Sequence, residues 1–301
     1  MKFWRGRPRL SIVMVVHRMP EQAARTLLSL SPAYQRGVAA ADYEVIVVEN
    51  PSDRVLGATA GTRYFLRAEA AKSPVGAVNF GVAQARADHV AILIDGARML
   101  SPGVVAQTLA ALRTDPEAAV SAPGYHLGHA LQQVAVNSGH NAAADAAQLD
   151  GISWPADGYR LFDIAVLSGS CRQGFFLPHA ESNFLALSRH KFQALGGMDT
   201  RYDDLGGGMA NLDFYKRLLE SPGTALYLLI GEGSFHQFHG GITTNTPAAE
   251  RAAIMQAIKT QDEGLRGAGV ALPTKIPILF GVAHPGIYRF LDHSLKQARK
   301  A

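Results

Sequence analysis

The first hundred and twenty residues alternate uncharged, β-branched runs with amphipathic stretches. Leu10–Val16 reads LSIVMVV, apolar at nearly every position. Such a run has no solvent face, so it predicts a strand covered on both sides in a parallel sheet. Residues 43–48 (YEVIVV) and 90–94 (VAILI) repeat the signal, Arg63–Leu66 is a shorter candidate, and 118–122 another. Helical patterns fill the gaps. One opens at Met19-Pro20-Glu21, with proline near its first turn, and continues through Leu27, Leu28 and Leu30; others cover 74–86 and 102–113. This β-α-β-α-β order predicts an α/β fold with a mainly parallel central sheet flanked by helices. Ligands of such sheets sit at the carboxyl ends of the strands. Those ends are Val16-His17, Glu49-Asn50 and Asp95-Gly96-Ala97.

Beyond this region the pattern loosens. Residues 124–170 are rich in Ala, His and Gly and predict a loop-rich insertion. A strand over 182–188, a short helix over 189–195 and a Gly196-Gly197 break follow. Then come a Gly206-Gly207-Gly208 loop, a helix near 210–220, a strand over 225–230 and a helix over 247–266. The expected division is a ligand-binding domain over 1–245 and a C-terminal helical appendage over 246–301. No repeat at solenoid periods is present.

Composition narrows the classes. Of the 301 residues 48% are hydrophobic and 18% charged, against about 25% charged in a typical soluble domain, so the chain is globular rather than disordered. The formal net charge of +4 suits an anionic ligand or a membrane surface. Lys2, Arg5, Arg7 and Arg9 at one end and Lys296, Arg299 and Lys300 at the other read as solvated termini, and no motif points to nucleic acid. Cys171 is the only cysteine, which excludes an intrachain disulfide and fits a reducing cytoplasm, with peripheral contact at the inner face of the membrane allowed. The apolar run after the basic start is broken by His17, Arg18 and Pro20, and no stretch reads as a transmembrane span.

Four segments, in order, resemble family 2 glycosyltransferases, whose GT-A fold binds nucleotide diphospho-sugars. SIVMVVHRMPEQAARTLLSL is similar to the opening strand and helix, and YEVIVVENPSD to the second strand with its acidic end. PVGAVNFGVAQARADHVAILIDGARMLSPG is similar to the Asn-containing helix, here with Asn79, and the strand ending in Asp-x-Asp. ESNFLALSRHKFQALGGMDTRYDDLGGGMANLDFYKRL resembles the acceptor-side segment, and the match spans about 10–241.

The resemblance implies transfer of a sugar, from a UDP-sugar in the first instance, to a hydroxyl of a glycan, lipid-linked or small-molecule acceptor. It implies that Glu49 or Asn50 pairs with the base while Val16 and His17 line the base pocket. The diphosphate needs a compensating cation. Asp95 keeps the first acid of Asp-x-Asp, but the second is Ala97, followed by Arg98. Two substitutes are open: a divalent cation, Mn²⁺ or Mg²⁺, held by Asp95 and His239, or Arg98 acting as a fixed cation. On the acceptor side the family's Glu-Asp pair is Ala210-Asn211, so its general base is missing. Asp203, Asp204, Glu181 and Asp213 are the candidate replacements, with the Asp203-Asp204 loop favoured for its place beside the glycine loop. The alternative reading is a GT-A protein that binds a nucleotide sugar or glycan without turnover. A nucleotidyltransferase is a more distant third, since no glycine-rich loop with a basic residue follows the first strand.

Overall fold

A computed structural model describes residues 6–69, 71–269 and 271–301; Lys2 and Arg5 lie outside them. The chain runs β1 (Leu10–Val16), α1 (Pro20–Ser29), β2 (Tyr43–Glu49), β3 (Arg63–Leu66), α2 (Val75–Ala83), β4 (His89–Leu93), β5 (Arg98–Leu100), α3 (Val104–Thr114) and β6 (Ala119–Ser121). The middle holds β7 (Gly124–Leu127), α4 (Gln132–Ala135), α5 (Ala142–Gly151) and β8 (Ala165–Leu167). It ends with β9 (Leu185–Ser188), α6 (Arg189–Ala194), α7 (Ala210–Glu220), β10 (Leu226–Leu229), β11 (Ser234–His236), α8 (Ala248–Arg266), β12 (Ile278–Phe280) and α9 (Tyr288–Ala298).

Eight strands form the main sheet in the order β12-β10-β6-β9-β4-β1-β2-β3, parallel throughout except for β9. The continuous apolar runs are explained by two cores. Leu10, Ile12, Met14 and Val16 of β1 enter one cluster with α1 and α3, while Val13 and Val15 enter the other with α2 and α7. Alternation with period two thus buries every residue of the strand. Burial of each such side chain stabilises the fold by about 1.5–3 kcal/mol, so one charge in β1 would be destabilising on either face.

The strands wind outward from β1 through β2 to β3, then restart on the other side at β4. The crevice at that reversal is where open α/β sheets take their ligands.

A second sheet, β5-β11-β7-β8, stands at this end of the first. It corrects the expectation of a loop-rich insertion over 124–170, which supplies β7, β8 and α5. The strands are three or four residues long, and β7 is buried at every position, so neither length nor alternation marked them. Asn141 caps α5, its side chain accepting from Ala143 N and Ala144 N. Tyr125 stacks on Phe235, ring centroids 5.1 Å apart, in a third core shared with Ile287 and Phe290. The stretch expected as a helical appendage is more than that. β12 extends the main sheet beside β10, and Ile258 of α8 is buried.

Candidate active site

The carboxyl ends of β1 and β4 open into a cavity of about 960 Å³. Its walls include His17 and Asn50 from strand ends, Asp95 and Arg98 after β4, the 206–208 glycine loop, and Arg251, Met255 and Ile258 of α8. Five Arg and Lys side chains line it against two acids, Asp95 and Glu181, which favours an anionic ligand. Gly207 sits at φ +82° where a Cβ would meet Pro74 Cδ at 2.9 Å, so only glycine lets the loop lie against the start of α2.

The register of the second sheet makes the centre of the site. His236 of β11 pairs with Arg98 of β5 on one side and His126 of β7 on the other. Cross-strand neighbours share a face, so three basic side chains stand in one row. Asp95, in the turn before β5, meets the row. Its Oδ2 lies 3.0 Å from His236 Nε2 and 3.2 Å from His239 Nε2, and the two Nε2 atoms are 3.0 Å apart. Asp95 Oδ1 accepts from Ala97 N at 2.8 Å. Ala97 itself is fully buried in the core, so the position of the absent second acid points away from the site.

A shell of amides fixes this cluster. His236 Nδ1 donates to Gln132 Oε1 at 2.6 Å, while Gln132 Nε2 donates to His236 O at 2.9 Å. Asn245 Nδ2 also donates to Gln132 Oε1, at 3.2 Å, and Asn245 Oδ1 accepts the backbone N–H groups of His239, Gly240 and Gly241. With its proton on Nδ1, His236 presents the Nε2 lone pair to Asp95 and His239. Burial and the neighbouring Arg98 push His236 down to about 3, so it stays neutral at ordinary pH. Burial opposes charge on Asp95, yet His239 holds its carboxyl well below the usual range.

A carboxylate and two imidazole nitrogens, mutually within 4.8 Å and held by an outer hydrogen-bonded shell, fit a divalent cation. His236 thus joins Asp95 and His239 as a third donor. Beside them Arg98 is 7% exposed, and its Nε and Nη1 have no hydrogen-bond partner. Its Nε lies 3.7 Å from Asp95 Oδ2. Burial lowers its pKa, with Asp95 and Glu181 opposing the shift only in part. His126 Nδ1 accepts from Gln132 N at 3.0 Å, which puts its proton on Nε2. Burial, His236 and Arg98 push His126 well below its ordinary value.

The residues expected to line a base pocket separate. Glu49 is fully buried and its oxygens accept from Leu56 N at 2.7 Å, Gly57 N at 3.1 Å and Tyr64 Oη at 2.6 Å. Burial and this carboxylate push the Tyr64 phenol up to about 12. Glu49 therefore ties down the loop after β2 and does not line the cavity. Asn50 does line it, and its Oδ1 is buried without a partner, as is Nδ1 of His17. Val16 turns into the core, and Val15 lines the cavity in its place. Asn79 is also outside: its amide holds the turn after Gly197, donating to Met198 O at 2.8 Å and accepting from Met198 N at 3.0 Å.

On the acceptor side the four candidate acids part in the same way. Asp213 is buried in a double ion pair, Oδ2 to Arg217 Nε at 2.8 Å and Oδ1 to Arg266 Nε at 2.7 Å. Asp203 accepts from Gln261 Nε2 at 3.0 Å, and neither it nor Asp204 lines the cavity. This corrects the preference for the Asp203-Asp204 loop: the chain turns there so that Leu205 and the glycines face inward. Glu181 is the acid in the wall. Its Oε2 accepts from Asn211 Nδ2 at 2.7 Å, and Asn183 lies 3.4 Å from Oε1. Asn211 also donates to Ser182 O at 3.1 Å.

The chain matches no protein-family model and no curated protein. It does match solved structures. It is similar to S. aureus TarS 1-349 in complex with UDP-GlcNAc, at 8% identity and TM-score 0.53, covering 85% of this chain and 66% of that one. It is also similar to S. aureus TarS itself, at 8% identity and TM-score 0.52, covering 85% of this chain and 40% of that chain. The mannosyltransferase PcManGT from Pyrobaculum calidifontis, in complex with GDP-Man and Mn²⁺, matches at 14% identity and TM-score 0.46 over 97% and 70% of the two chains.

The chain has the GT-A fold. The crevice lies at the carboxyl ends of β1 and β4, the end at which open α/β sheets take their ligands. Sequence reading missed His236, His126 and Gln132 within it. The spacing His236-x-x-His239 was the readable signal for the first; His126 and Gln132 lie in the middle region, where no periodicity exposed a strand.

Proposed function

We propose that this chain is a glycosyltransferase that moves a hexosyl group from a UDP-sugar to a hydroxyl of a glycan, lipid-linked or small-molecule acceptor. The observation that carries the reading is the convergence of Asp95, His236 and His239 beside Arg98, whose Nε and Nη1 have no hydrogen-bond partner, at the switch point of the sheet. Asn50 Oδ1 and His17 Nδ1, both buried and unsatisfied, are suited to a base and its ribose. A divalent cation held by Asp95, His236 and His239 would offset the charge gathering on the diphosphate leaving group. The mixed nitrogen and oxygen donors favour Mn²⁺ over Mg²⁺, which prefers oxygen alone. Arg98 would pair with diphosphate oxygens in the same dry pocket.

Glu181 is our choice of general base. It accepts the proton of the acceptor hydroxyl as the new C–O bond forms; the anomeric carbon–oxygen bond breaks, and its electron pair leaves with the diphosphate. Asn211 holds the carboxylate for this from the position where related enzymes carry an acid. TarS bound to UDP-GlcNAc supports a UDP-sugar as the first donor to try.

The test combines thermal shift and turnover over a panel of UDP- and GDP-sugars with Mn²⁺ and a mixture of hydroxyl acceptors. A ligand of the native state raises stability by RT ln(1 + [L]/Kd). The expected result is a rise in Tm with UDP-sugars and release of UDP. Failure of every nucleotide sugar to shift Tm overturns the reading. The Ala210-Asn211 replacement favours a second reading, binding without turnover, and that reading wins if a donor binds but no nucleoside diphosphate appears.

A further inference from the structure

The charge of this chain is not spread evenly. Residues 271–301 carry Lys275, Arg289, Lys296, Arg299 and Lys300 against the single acid Asp292, a net +4. The whole chain is also +4, so the preceding 270 residues balance. The same segment holds six of the eleven large apolar side chains that stand exposed among the described residues: Leu272, Ile276, Ile278, Val282, Tyr288 and Leu295. Val282 is 74% exposed. Exposed apolar side chains scattered singly need no explanation, but half of them in a tenth of the chain, beside all the excess positive charge, do.

The fold gathers these residues on one edge. β12 is the last strand of the main sheet, with no strand beyond it among the described residues. Leu279 of β12 packs against the core cluster that holds Ile287 and Phe290, so β12 and α9 cover the same core. On α9, Phe290 and Ser294 are buried, while Tyr288 and Leu295, seven residues or two turns apart, point outward together. Arg299 and Lys300 stand exposed at the end of the same helix. The open edge is a poor template for another strand, because β12 has three residues and follows Lys275 and Pro277, which blunt pairing. An apolar surface mixed with basic side chains fits the headgroup region of an anionic bilayer, where the rings and chains enter and the cations meet lipid phosphates.

We propose that the edge formed by residues 272–282 and the outer face of α9 docks this protein on an anionic lipid surface. Among the described residues no helix is long and apolar enough to cross a membrane, so the contact is peripheral. This inference does not rest on the transferase reading, since it needs neither donor nor acceptor.

The full chain is floated with vesicles of phosphatidylcholine alone and of phosphatidylcholine with phosphatidylglycerol. Binding to the anionic vesicles is expected, at least tenfold stronger than to the neutral ones and weakening as salt rises. Each basic residue near the surface contributes about fivefold. Arg299→Glu with Lys300→Glu should therefore lower partitioning by about 25-fold or more, and Val282→Asp with Ile276→Asp should lower it independently. Unchanged Tm of each double variant certifies its fold, and the two pairs act separately should one misfold. No association with anionic vesicles at low salt overturns the proposal, as does full binding by both folded variants. A concentration-dependent dimer abolished by Val282→Asp overturns it in favour of a second copy of this chain.

Discussion

Asn211 donates its side-chain amide to the Glu181 carboxylate at 2.7 Å, in the wall of the cavity. An amide at this position cannot take a proton from a hydroxyl, but it can orient a carboxylate that does. Glu181→Gln should leave nucleotide affinity unchanged and lower kcat about 10²–10⁴-fold. Asn211→Ala should lower kcat less, because the carboxylate remains but loses the donor that orients it. Asp203→Asn and Asp204→Asn should be silent in the same nucleoside diphosphate assay. Full activity of folded Glu181→Gln would remove it from the mechanism.

Glu49 and Asn50 are adjacent in sequence but face different ways, Glu49 to the loop after β2 and Asn50 to the cavity. Asn50→Ala should weaken nucleotide binding by about 1–3 kcal/mol, the cost of a hydrogen bond lost in a buried site. Glu49→Ala strands two backbone N–H groups and a phenol, and should lower thermal stability by about 1–3 kcal/mol. Calorimetric titration together with thermal unfolding separates the two effects. Loss of affinity at Glu49 with unchanged stability would reverse the assignment.

Asp95, His236 and His239 supply three donors where the sequence motif suggested two. Mn²⁺ should bind the protein before nucleotide is added, as followed by electron paramagnetic resonance, and Mg²⁺ more weakly. His236→Ala and His239→Ala should each weaken it about 10–100-fold or more. Gln132→Ala removes the partner of His236 Nδ1 and should weaken metal binding by a similar factor without removing a ligand. Nucleotide binding that is indifferent to EDTA would instead leave Arg98 as the diphosphate's cation.

Arg266 fastens α8 over the cavity. It pairs with Asp213 at 2.7 Å and with Asp199 at 2.8 Å. Arg266→Met leaves buried Asp213 with Arg217 alone and should cost about 1–3 kcal/mol in thermal unfolding. Arg201 first, and Arg266 with it, hold Asp199 below the usual carboxylate range. A carboxylate with a depressed folded pKa adds stability above its unfolded value, lost as pH falls through the folded one. Stability should therefore decline as pH drops below about 4, and less steeply in Arg266→Met. Identical pH profiles for the two proteins would exclude this contribution.

The central strands of the main sheet were legible because they are buried on both faces. Leu10–Val16 and 43–48 carry no alternation to misread, and a continuous β-branched run admits few other structures. The strands of the second sheet were not legible. Arg98–Leu100, Gly124–Leu127 and Ser234–His236 are each too short to show a period, and they form only by pairing with one another. The edge strand Ile278–Phe280 is hidden for the same reason.

The sequence by itself determined the α/β fold, the strand ends around which the cavity forms, and the chemical types available there. It also recorded that Ala97 and Ala210-Asn211 stand where the motifs it resembles carry acids. Only the tertiary structure decided which polar groups are free. Glu49, Asn79 and Asp213 have their hydrogen-bonding capacity taken up by neighbours, while Asn50, His17 and Arg98 keep atoms unpartnered. It also joined His236 to Asp95 across 141 positions of sequence, through the register of β11 against β5. The physical reason is common to both. Local patterning records whether a residue is buried, but the partner of a buried polar group is set by which strand lies beside it.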